Sequence, residues 1–461
     1  MLKPFYKPFG MAGIALGAVL AASSSIAAVS EFTLDNGLRI LVKEDHRAPV
    51  VVSQIWYKVG SSYEHGGITG VSHVLEHMMF KGTRQHAPGD FSRIIAENGG
   101  RENAFTGKDY TAYYQRLEKS RLPISFELEA DRMYQLRLLD EEFAKEIKVV
   151  MEERRLRTED NPQSQTYENF VATAFQTSPY HNPIIGWMND LDNMELKDLA
   201  DWYKAWYVPN NATLVVSGDV DPKEVYQLAK KYYGKVPRGD IATLKPQREV
   251  KQRGIRRINV KLPAKLPVIY MGYLVPSLKT VSDPADAYAL EVLAGILDGG
   301  NSARLPKNLV RGSQVAASAG AGYDLYSRLD TLFLFSGTPS QKHNIKDLEK
   351  SLLQQIRMTQ DTLVKQQELD RVKAQVVAEK VYELDSVFYQ AMQIGQLETI
   401  GIDSAVLDEY VDRIKAVTPE KIREVARKYL IDDSLTVATL DPQSMQPLPS
   451  RPAVSGGGHG R

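Results

Sequence analysis

The stretch Gly70–Thr83, GVSHVLEHMMFKGT, places His73, Glu76 and His77 in the pattern H-x-x-E-H. Residues four apart on a helix share a face, so the two histidines can bind one metal ion together. Glu76 immediately precedes the second histidine and can reach a water molecule on that ion. Zinc accepts neutral imidazole, and two histidines leave room for a third ligand and a water. The stretch therefore predicts a helix that carries part of a zinc site.

A second interpretation of this helix needs no metal. The apolar neighbours Val74, Leu75, Met78, Met79 and Phe80 also fit a buried helix whose polar residues have other partners. Two histidines and a carboxylate buried without partners would be costly, however. H-x-x-E-H is also the inverted form of the zinc-peptidase motif. We therefore expect a metal.

The composition is that of an ordinary globular protein. The 461 residues are 43% hydrophobic and 25% charged, which is enough chain for two or more domains. Basic and acidic residues number 57 each, so no charge bias indicates nucleic-acid binding. The absence of cysteine excludes disulfides, thiolate nucleophiles and cysteine-type zinc sites.

Residues 1–27 are typical of a signal peptide. Two lysines precede the apolar run Gly10–Ala22, and Ser25-Ile26-Ala27 supplies small side chains at a cleavage site. We expect cleavage after Ala27, with Ala28 as the alternative, and an uncleaved anchor as the second interpretation. No later stretch is apolar enough to span a membrane. The mature chain is therefore expected to be exported, to the periplasm if the source is Gram-negative.

Strand signals flank the zinc helix. Glu31–Lys43 alternates around Asp35-Asn36-Gly37, which predicts a hairpin, and Val50–Val59 is β-branched and aromatic. Gly99–Tyr114, GGRENAFTGKDYTAYY, is predicted as a further strand. An exposed edge there could bind an extended peptide as an added strand. From spacing alone, a plain hairpin is favoured.

Glutamates on the predicted helix Asp140–Arg157 are candidates for the third metal ligand. Glu146 and Glu153 are seven residues apart and share a face, and Glu152 is adjacent. The alternative is a solvated charged face. The spacing alone does not choose among the three.

The second half of the chain repeats the first in outline. A pattern of helix, tyrosine, turn, strand and aspartate runs through Lys197–Asp219 and again, 222 residues later, through Pro419–Asp441. The same offset places Gly295, Asp298 and Gly299 opposite the three motif residues. Such repetition predicts two similar units, the second without metal ligands.

The polar segment Pro237–Gly254 is interpreted as the linker between these units. We expect an N-terminal zinc-binding peptidase domain over residues 28–240 and a C-terminal domain of similar structure over residues 241–448. Residues 449–461 are expected to form a flexible tail.

The chain resembles the pitrilysin/insulinase family of zinc peptidases, which includes the mitochondrial processing peptidase. The resemblance is densest from Gly60 to Asp219. It is carried by the blocks GVSHVLEHMMFKGT, GGRENAFTGKDYTAYY, EIKVVMEERRLRTEDNP, SPYHNPIIGW and WYVPNNATLVVSGD. It implies an α+β fold of two similar halves, each an antiparallel sheet packed with helices.

The resemblance implies roles for the motif residues. His73 and His77 would bind Zn²⁺, and Glu76 would be the catalytic general base. The family's distal ligand falls on Glu153 and its second carboxylate, which supports the site, on Glu146.

The resemblance also implies substrate-binding residues. Asn103 and Ala104 match edge-strand residues that hold the substrate backbone. Active members carry an Arg and a Tyr seven residues apart in the non-zinc half; Arg311 matches the Arg, but Ser318 stands at the Tyr position and Tyr323 has the wrong spacing. Because some members pair a zinc subunit with a related subunit, we expect a heterodimer with such a partner, or a homodimer.

These patterns together predict an exported zinc metalloendopeptidase that hydrolyses extended peptides or unfolded segments, with a zinc-bound water activated by Glu76. One alternative is a non-catalytic assembly or binding subunit with the same fold. Another is a zinc subunit that is active only with its related partner. The intact motif with its distal glutamate argues against a scaffold.

Overall fold

The computed structural model describes residues 29–444. The signal peptide and the tail expected from the sequence lie outside this range. The strands of the first sheet are β1 (Ser30–Thr33), β2 (Arg39–Glu44), β3 (Val50–Tyr57), β4 (Arg101–Thr106), β5 (Thr111–Glu118) and β6 (Ala212–Gly218). The helices of this half are α1 (Val71–Met78), α2 (Asp90–Glu97), α3 (Leu122–Gln135), α4 (Asp140–Arg154), α5 (Pro162–Ala174), α6 (Met188–Asn193), α7 (Leu196–Trp206) and α8 (Pro222–Tyr233).

The second half is built in the same way. The strands of its sheet are β7 (Arg256–Pro263), β8 (Ile269–Val275), β9 (Ala316–Gly322), β10 (Thr331–Pro339) and β11 (Leu435–Gln443). Its helices are α9 (Pro284–Asp298), α10 (Ile345–Asp361), α11 (Gln366–Leu384), α12 (Val387–Ile400), α13 (Val406–Ala416) and α14 (Pro419–Tyr429). None of the helices between residues 29 and 444 combines the length and the apolar character that a membrane span requires.

The two sheets share one topology. The first has the strand order β1-β2-β6-β3-β5-β4 and the second β7-β11-β8-β10-β9. When β2 is matched to β7 and β6 to β11, the orders coincide, and each of these two pairs is parallel while the other pairings are antiparallel. The prediction of an α+β fold with two similar halves is confirmed.

The segment Gly99–Tyr114, predicted as one strand, forms two. β4 and β5 pair antiparallel on either side of a turn in which Gly107 donates its N–H to the Tyr110 carbonyl. Among residues 29–444, β4 pairs with β5 on one side and with no strand on the other, so it forms one edge of the first sheet. Both interpretations of the sequence, the hairpin and the free edge, therefore describe this segment.

The halves exchange helices across their boundary. α5, from the first half, packs on β7, β8 and β11, whereas α12, from the second half, packs on β2, β3 and β6. Each contact is tight at a glycine: a Cβ on Gly272 would lie 2.6 Å from the Phe170 ring, and one on Gly395 would lie 2.2 Å from the Trp56 ring. The two sheets are thus tied together by buried aromatic side chains that need glycine opposite them.

We predict that Gly395→Ala destabilises the protein. Alanine favours a helix by about 1 kcal/mol over glycine, but the new methyl would overlap the fully buried Trp56 ring. Overpacking of this kind costs about 1–3 kcal/mol. Urea unfolding should show a lower free energy of unfolding, whereas Gly322→Ala, where a Cβ meets nothing within 4 Å, should change little. A Gly395→Ala protein as stable as the wild type would contradict this packing.

Candidate metal centre and substrate cavity

Helix α1 starts at a close crossing of two backbones. Gly70 (φ +90°) precedes the helix, and a Cβ there would lie 2.6 Å from the Ile185 carbonyl oxygen. Gly186 (φ +86°) lies opposite, and a Cβ there would lie 2.3 Å from the Thr69 carbonyl oxygen. Only glycine fits either position, because each has a left-handed conformation and no space for a side chain. The block SPYHNPIIGW therefore sets where the zinc-motif helix begins.

Two buried carboxylates hold the loop before α1. Glu64 accepts hydrogen bonds from the N–H groups of Gly70 (2.7 Å) and Ser72 (2.9 Å), where a helix has unpaired donors. Asp190, on α6, accepts from the Thr69 hydroxyl (2.5 Å) and from the N–H groups of Thr69 and Gly67 (3.2 Å each). Burial acts to raise the pKa of Asp190, but these hydrogen bonds outweigh it and hold the pKa below its usual value. Together, these hydrogen bonds fix the loop that leads into α1 and the first turn of the helix.

The motif histidines face one glutamate of α4. The Oε2 atom of Glu153 lies 3.5 Å from His77 Nε2 and 3.9 Å from His73 Nε2. One ligand atom from each of the three residues lies within 4.8 Å of the other two. Tetrahedral zinc with bonds of about 2.1 Å separates its ligand atoms by about 3.4 Å. The three atoms thus have the chemistry and nearly the spacing of three zinc ligands.

The three glutamates of α4 have different surroundings. The Glu146 Oε2 atom lies 3.2 Å from His77 Nδ1, and its Oε1 atom lies 2.7 Å from Lys81 Nζ. When His77 Nδ1 donates to this carboxylate, Nε2 keeps its lone pair for a metal. The Glu152 side chain is 58% exposed and pairs with Arg155. Of these three glutamates, Glu153 is the one whose carboxylate faces both histidines.

The charge states suit a metal site. Burial, together with the proximity of His77 and Arg157, lowers the pKa of His73 to about 3, so the His73 imidazole is neutral, as a ligand must be. Burial also raises the pKa of Glu76, against the effect of a hydrogen bond donated by the Thr106 hydroxyl. Thr106 is the last residue of β4, so this hydrogen bond links the Glu76 side chain to the edge strand.

A cavity of about 1160 Å³ opens over these residues. β4 supplies Asn103, Ala104 and Thr106 to its wall. The opposite wall comes from α5, including Tyr167, and from Tyr270 of β8 in the second sheet. The structure thus brings the expected substrate-binding residues of β4 and the metal-site residues into one cavity.

Arg311 is not part of this cavity. Its exposed guanidinium donates a hydrogen bond to the Asn301 carbonyl, and it is absent from the cavity lining. Ser318 is exposed on the edge strand β9, and the Tyr323 hydroxyl donates to the Pro276 carbonyl at 2.7 Å. Within this chain, then, the Arg311 position and the H-x-x-E-H residues are separate.

Several cavity and support residues were not predicted from the sequence. Glu64, Asp190, Tyr167, Tyr270 and Lys108 are examples. Lys108 lies inside the block GGRENAFTGKDYTAYY, but no spacing marks it as facing the cavity. Asp190, Tyr167 and Tyr270 are brought to the site by the fold from distant parts of the chain, whereas Glu64 lies in the loop just before α1.

Family models match most of the chain. The model described as insulinase, peptidase family M16, matches residues 39–187. The model described as the peptidase M16 inactive domain matches residues 193–376.

Individual relatives agree. A zinc protease of Helicobacter pylori, PqqE, is 32% identical over 435 residues, which are 93% of this chain and 96% of the relative. An uncharacterized zinc protease of Rickettsia felis is 27% identical, covering 88% and 93% of the two chains. A crystal structure of a protease from Helicobacter pylori has a TM-score of 0.85 at 30% identity, covering 90% of this chain and 100% of that one.

The fold is therefore that of the two-domain M16-like peptidases. The chain belongs to the insulinase family, peptidase family M16, and its relatives carry the name zinc protease.

We predict that Asp190→Ala destabilises the metal-free protein by about 2 kcal/mol or more, because it leaves two buried donors of Thr69, and the Gly67 N–H, without their acceptor. The matched control is Asp192→Ala on the same helix, where the residue is exposed. Denaturant unfolding of both variants would measure the difference. Since the folded pKa of Asp190 lies below its unfolded value of 3.8, its contribution is present above that pH and is lost as the pH falls further. Equal stability of the two variants at pH 7 would contradict the account.

Proposed function

We propose that this protein is a zinc-dependent endopeptidase that cleaves extended peptides or unfolded segments in the β4 cavity. The observation that carries the proposal is the convergence of His73 Nε2, His77 Nε2 and Glu153 Oε2 next to Glu76. The names of the relatives agree with this chemistry. A scaffold subunit would gain nothing from two histidines directed at one carboxylate.

In this proposal His73, His77 and Glu153 hold Zn²⁺. Glu146 orients His77 through Nδ1, and Lys81 compensates the charge of Glu146. His73 has no such partner, because its Nδ1 atom is buried without a hydrogen bond among residues 29–444. Packing alone orients that ring.

When bound, zinc polarises the scissile carbonyl and lowers the pKa of water to about 7. Glu76 accepts the proton of the attacking water and delivers it to the leaving amine. Its raised pKa makes the carboxylate a stronger base for the first of these transfers. The hydrogen bond from Thr106 keeps this carboxylate at the end of β4.

The edge strand β4 holds the peptide. Its outer N–H and C=O groups have no partner strand, so an extended peptide can add to the sheet there. Asn103 and Ala104 lie on this strand and line the cavity. A chain bound along β4 passes Glu76 at Thr106, which favours cleavage within a peptide and excludes a compact folded substrate.

The remaining features proposed from the sequence concern assembly and location. Because Arg311 does not line the cavity of its own chain, it would act at this site only from a second subunit, either another copy or a related partner. We propose an exported protein with a zinc-binding domain over residues 28–240 and a second domain over residues 241–448. The segment 237–253, which contains no helix or strand, supports that boundary.

We predict that Glu76→Gln retains zinc but loses at least 100-fold in kcat, the low end of the effect of a general base. The amide has nearly the same shape but cannot accept the proton. Metal content by atomic emission and cleavage of unfolded casein would be measured together. Glu97→Gln, on the neighbouring helix α2 and exposed, is the control. Residual activity near that of the wild type would refute the role of Glu76.

A second prediction separates the adjacent glutamates of α4. Glu153→Gln should weaken zinc binding by at least tenfold, because it removes the anionic oxygen that faces both histidines. Glu152→Gln should leave the zinc affinity unchanged, because that side chain points to solvent. Competition with a chelator would measure both affinities. Equal losses in the two variants would show that the ligand is misassigned.

A further inference from the structure

Lys108, in the cavity wall, makes no ion pair with any of residues 29–444. Lys108 follows β4 in the turn to β5, and its side chain lines the cavity that contains the H-x-x-E-H residues. Its Nζ atom lies 4.6 Å from the centre of the Tyr180 ring and 5.7 Å from that of Phe175. Within the described part of the chain it makes no hydrogen bond and no ion pair. Its direct contacts are therefore with two aromatic faces.

The backbone around Lys108 is fixed. Ser62 donates its N–H to the Lys108 carbonyl at 2.8 Å, and Ser61 donates to the Gly107 carbonyl at 3.2 Å. A Cβ on Gly60 would lie 2.3 Å from the Gly107 oxygen, so the two loops touch. The backbone of Lys108 is consequently held in place just beyond the end of β4, and its side chain extends from there to the Tyr180 and Phe175 rings.

The carboxylate of the adjacent residue, Asp109, already has other partners. Asp109 accepts hydrogen bonds from the Ser62 hydroxyl (2.7 Å), from the Tyr180 hydroxyl and from Arg328 Nε (2.8 Å). Burial lowers the pKa of the Lys108 ammonium, and the charges of Asp109 and Asp324 offset this only in part. An additional carboxylate near Nζ would relieve that cost of burial.

Other cations at the cavity do have partners. Arg157 pairs with Glu153, and the cavity residue Glu168 is bound by Arg154 at 2.8 Å. Among the described lysines and arginines that line the cavity, Lys108 is thus the one without an ion pair, and it can bind an incoming anion. An ammonium has three donors, so a carboxylate can join it without displacing the rings.

We propose that Lys108 binds a carboxylate of the bound peptide and makes the protein selective for peptides that carry one at this register. The inference rests on the proposed peptidase function. A peptide added to β4 passes Glu76 at Thr106 and reaches Lys108 two residues further along the wall, so the carboxylate lies on the side of the scissile bond away from Asn103. The carboxylate is either the C-terminus of the peptide or an Asp or Glu side chain.

The test uses a peptide of unfolded serum albumin that the protein cleaves, identified by mass spectrometry. It is resynthesised in a neutral form with an amidated C-terminus. Matched versions carry one carboxylate each, either at the C-terminus or as an Asp at each position in turn. The kcat/KM of each version is measured with the wild type, and its Kd with the Glu76→Gln protein, where binding is read without cleavage.

A carboxylate at one register on one side of the cleaved bond should raise kcat/KM of the wild type, and tighten Kd of the Glu76→Gln protein, by about tenfold or more, as expected for a charge-assisted hydrogen bond in a partly buried site. The version that shows the gain identifies the source of the carboxylate. Lys108→Met keeps the apolar stem on the rings and should abolish the gain, and Lys108→Glu should reverse it in favour of a Lys in the peptide. Lys265→Met, at an exposed lysine without an ion pair among the described residues, should retain the gain.

Two results would overturn the inference: no register at which a carboxylate improves kcat/KM or Kd with the wild type, or an undiminished gain in Lys108→Met. The first needs no variant, so it holds even if a substitution prevents folding. In either case, continued Glu76-dependent cleavage of the neutral peptide would leave the proposed peptidase function intact.

Discussion

The approach of α1 to α4 is the contact on which the candidate site depends. α1 brings two imidazole Nε2 atoms to one side, and α4 brings the Glu153 carboxylate to the other, at 3.5 and 3.9 Å. Neither helix could form this group alone. The approach is set by surroundings with little freedom: the Gly70–Gly186 crossing and the buried carboxylates of Glu64 and Asp190. The chemistry is therefore built on a rigid frame rather than on a mobile loop.

The repeated architecture allows the H-x-x-E-H positions of the first half to be compared with the equivalent positions of the second half. The offset that aligns the halves places Asp298, near the end of α9, opposite Glu76. Asp298 Oδ2 accepts a hydrogen bond at 3.2 Å from the Ala321 N–H of the edge strand β9, much as Glu76 is fastened to β4. The positions opposite the histidines are Gly295 and Gly299. The second half thus keeps a carboxylate beside its edge strand but not the imidazoles, and it contributes α12 and Tyr270 to the first half.

The sequence was informative wherever the signal is local. The H-x-x-E-H spacing predicts which residues share a helix face, and Asp35-Asn36-Gly37 predicts the first hairpin, which is observed as β1 and β2. The offset of 222 residues predicted the second unit, and the sheet topologies confirm it. Spacing could not separate Glu152 from Glu153, because it does not show which face of α4 turns toward α1. Nor could it find Asp190, whose partners lie more than 100 residues away in the chain, or the exchange of α5 and α12 between the halves.

Anomalous diffraction would show whether His73, His77 and Glu153 hold one zinc ion, as we propose. Crystals of the protein with zinc would be measured on both sides of the zinc absorption edge. We expect one strong peak about 2.0–2.2 Å from His73 Nε2, His77 Nε2 and a Glu153 carboxylate oxygen. A peak coordinated by other residues, or no peak at this group in protein that cleaves peptides, would contradict it.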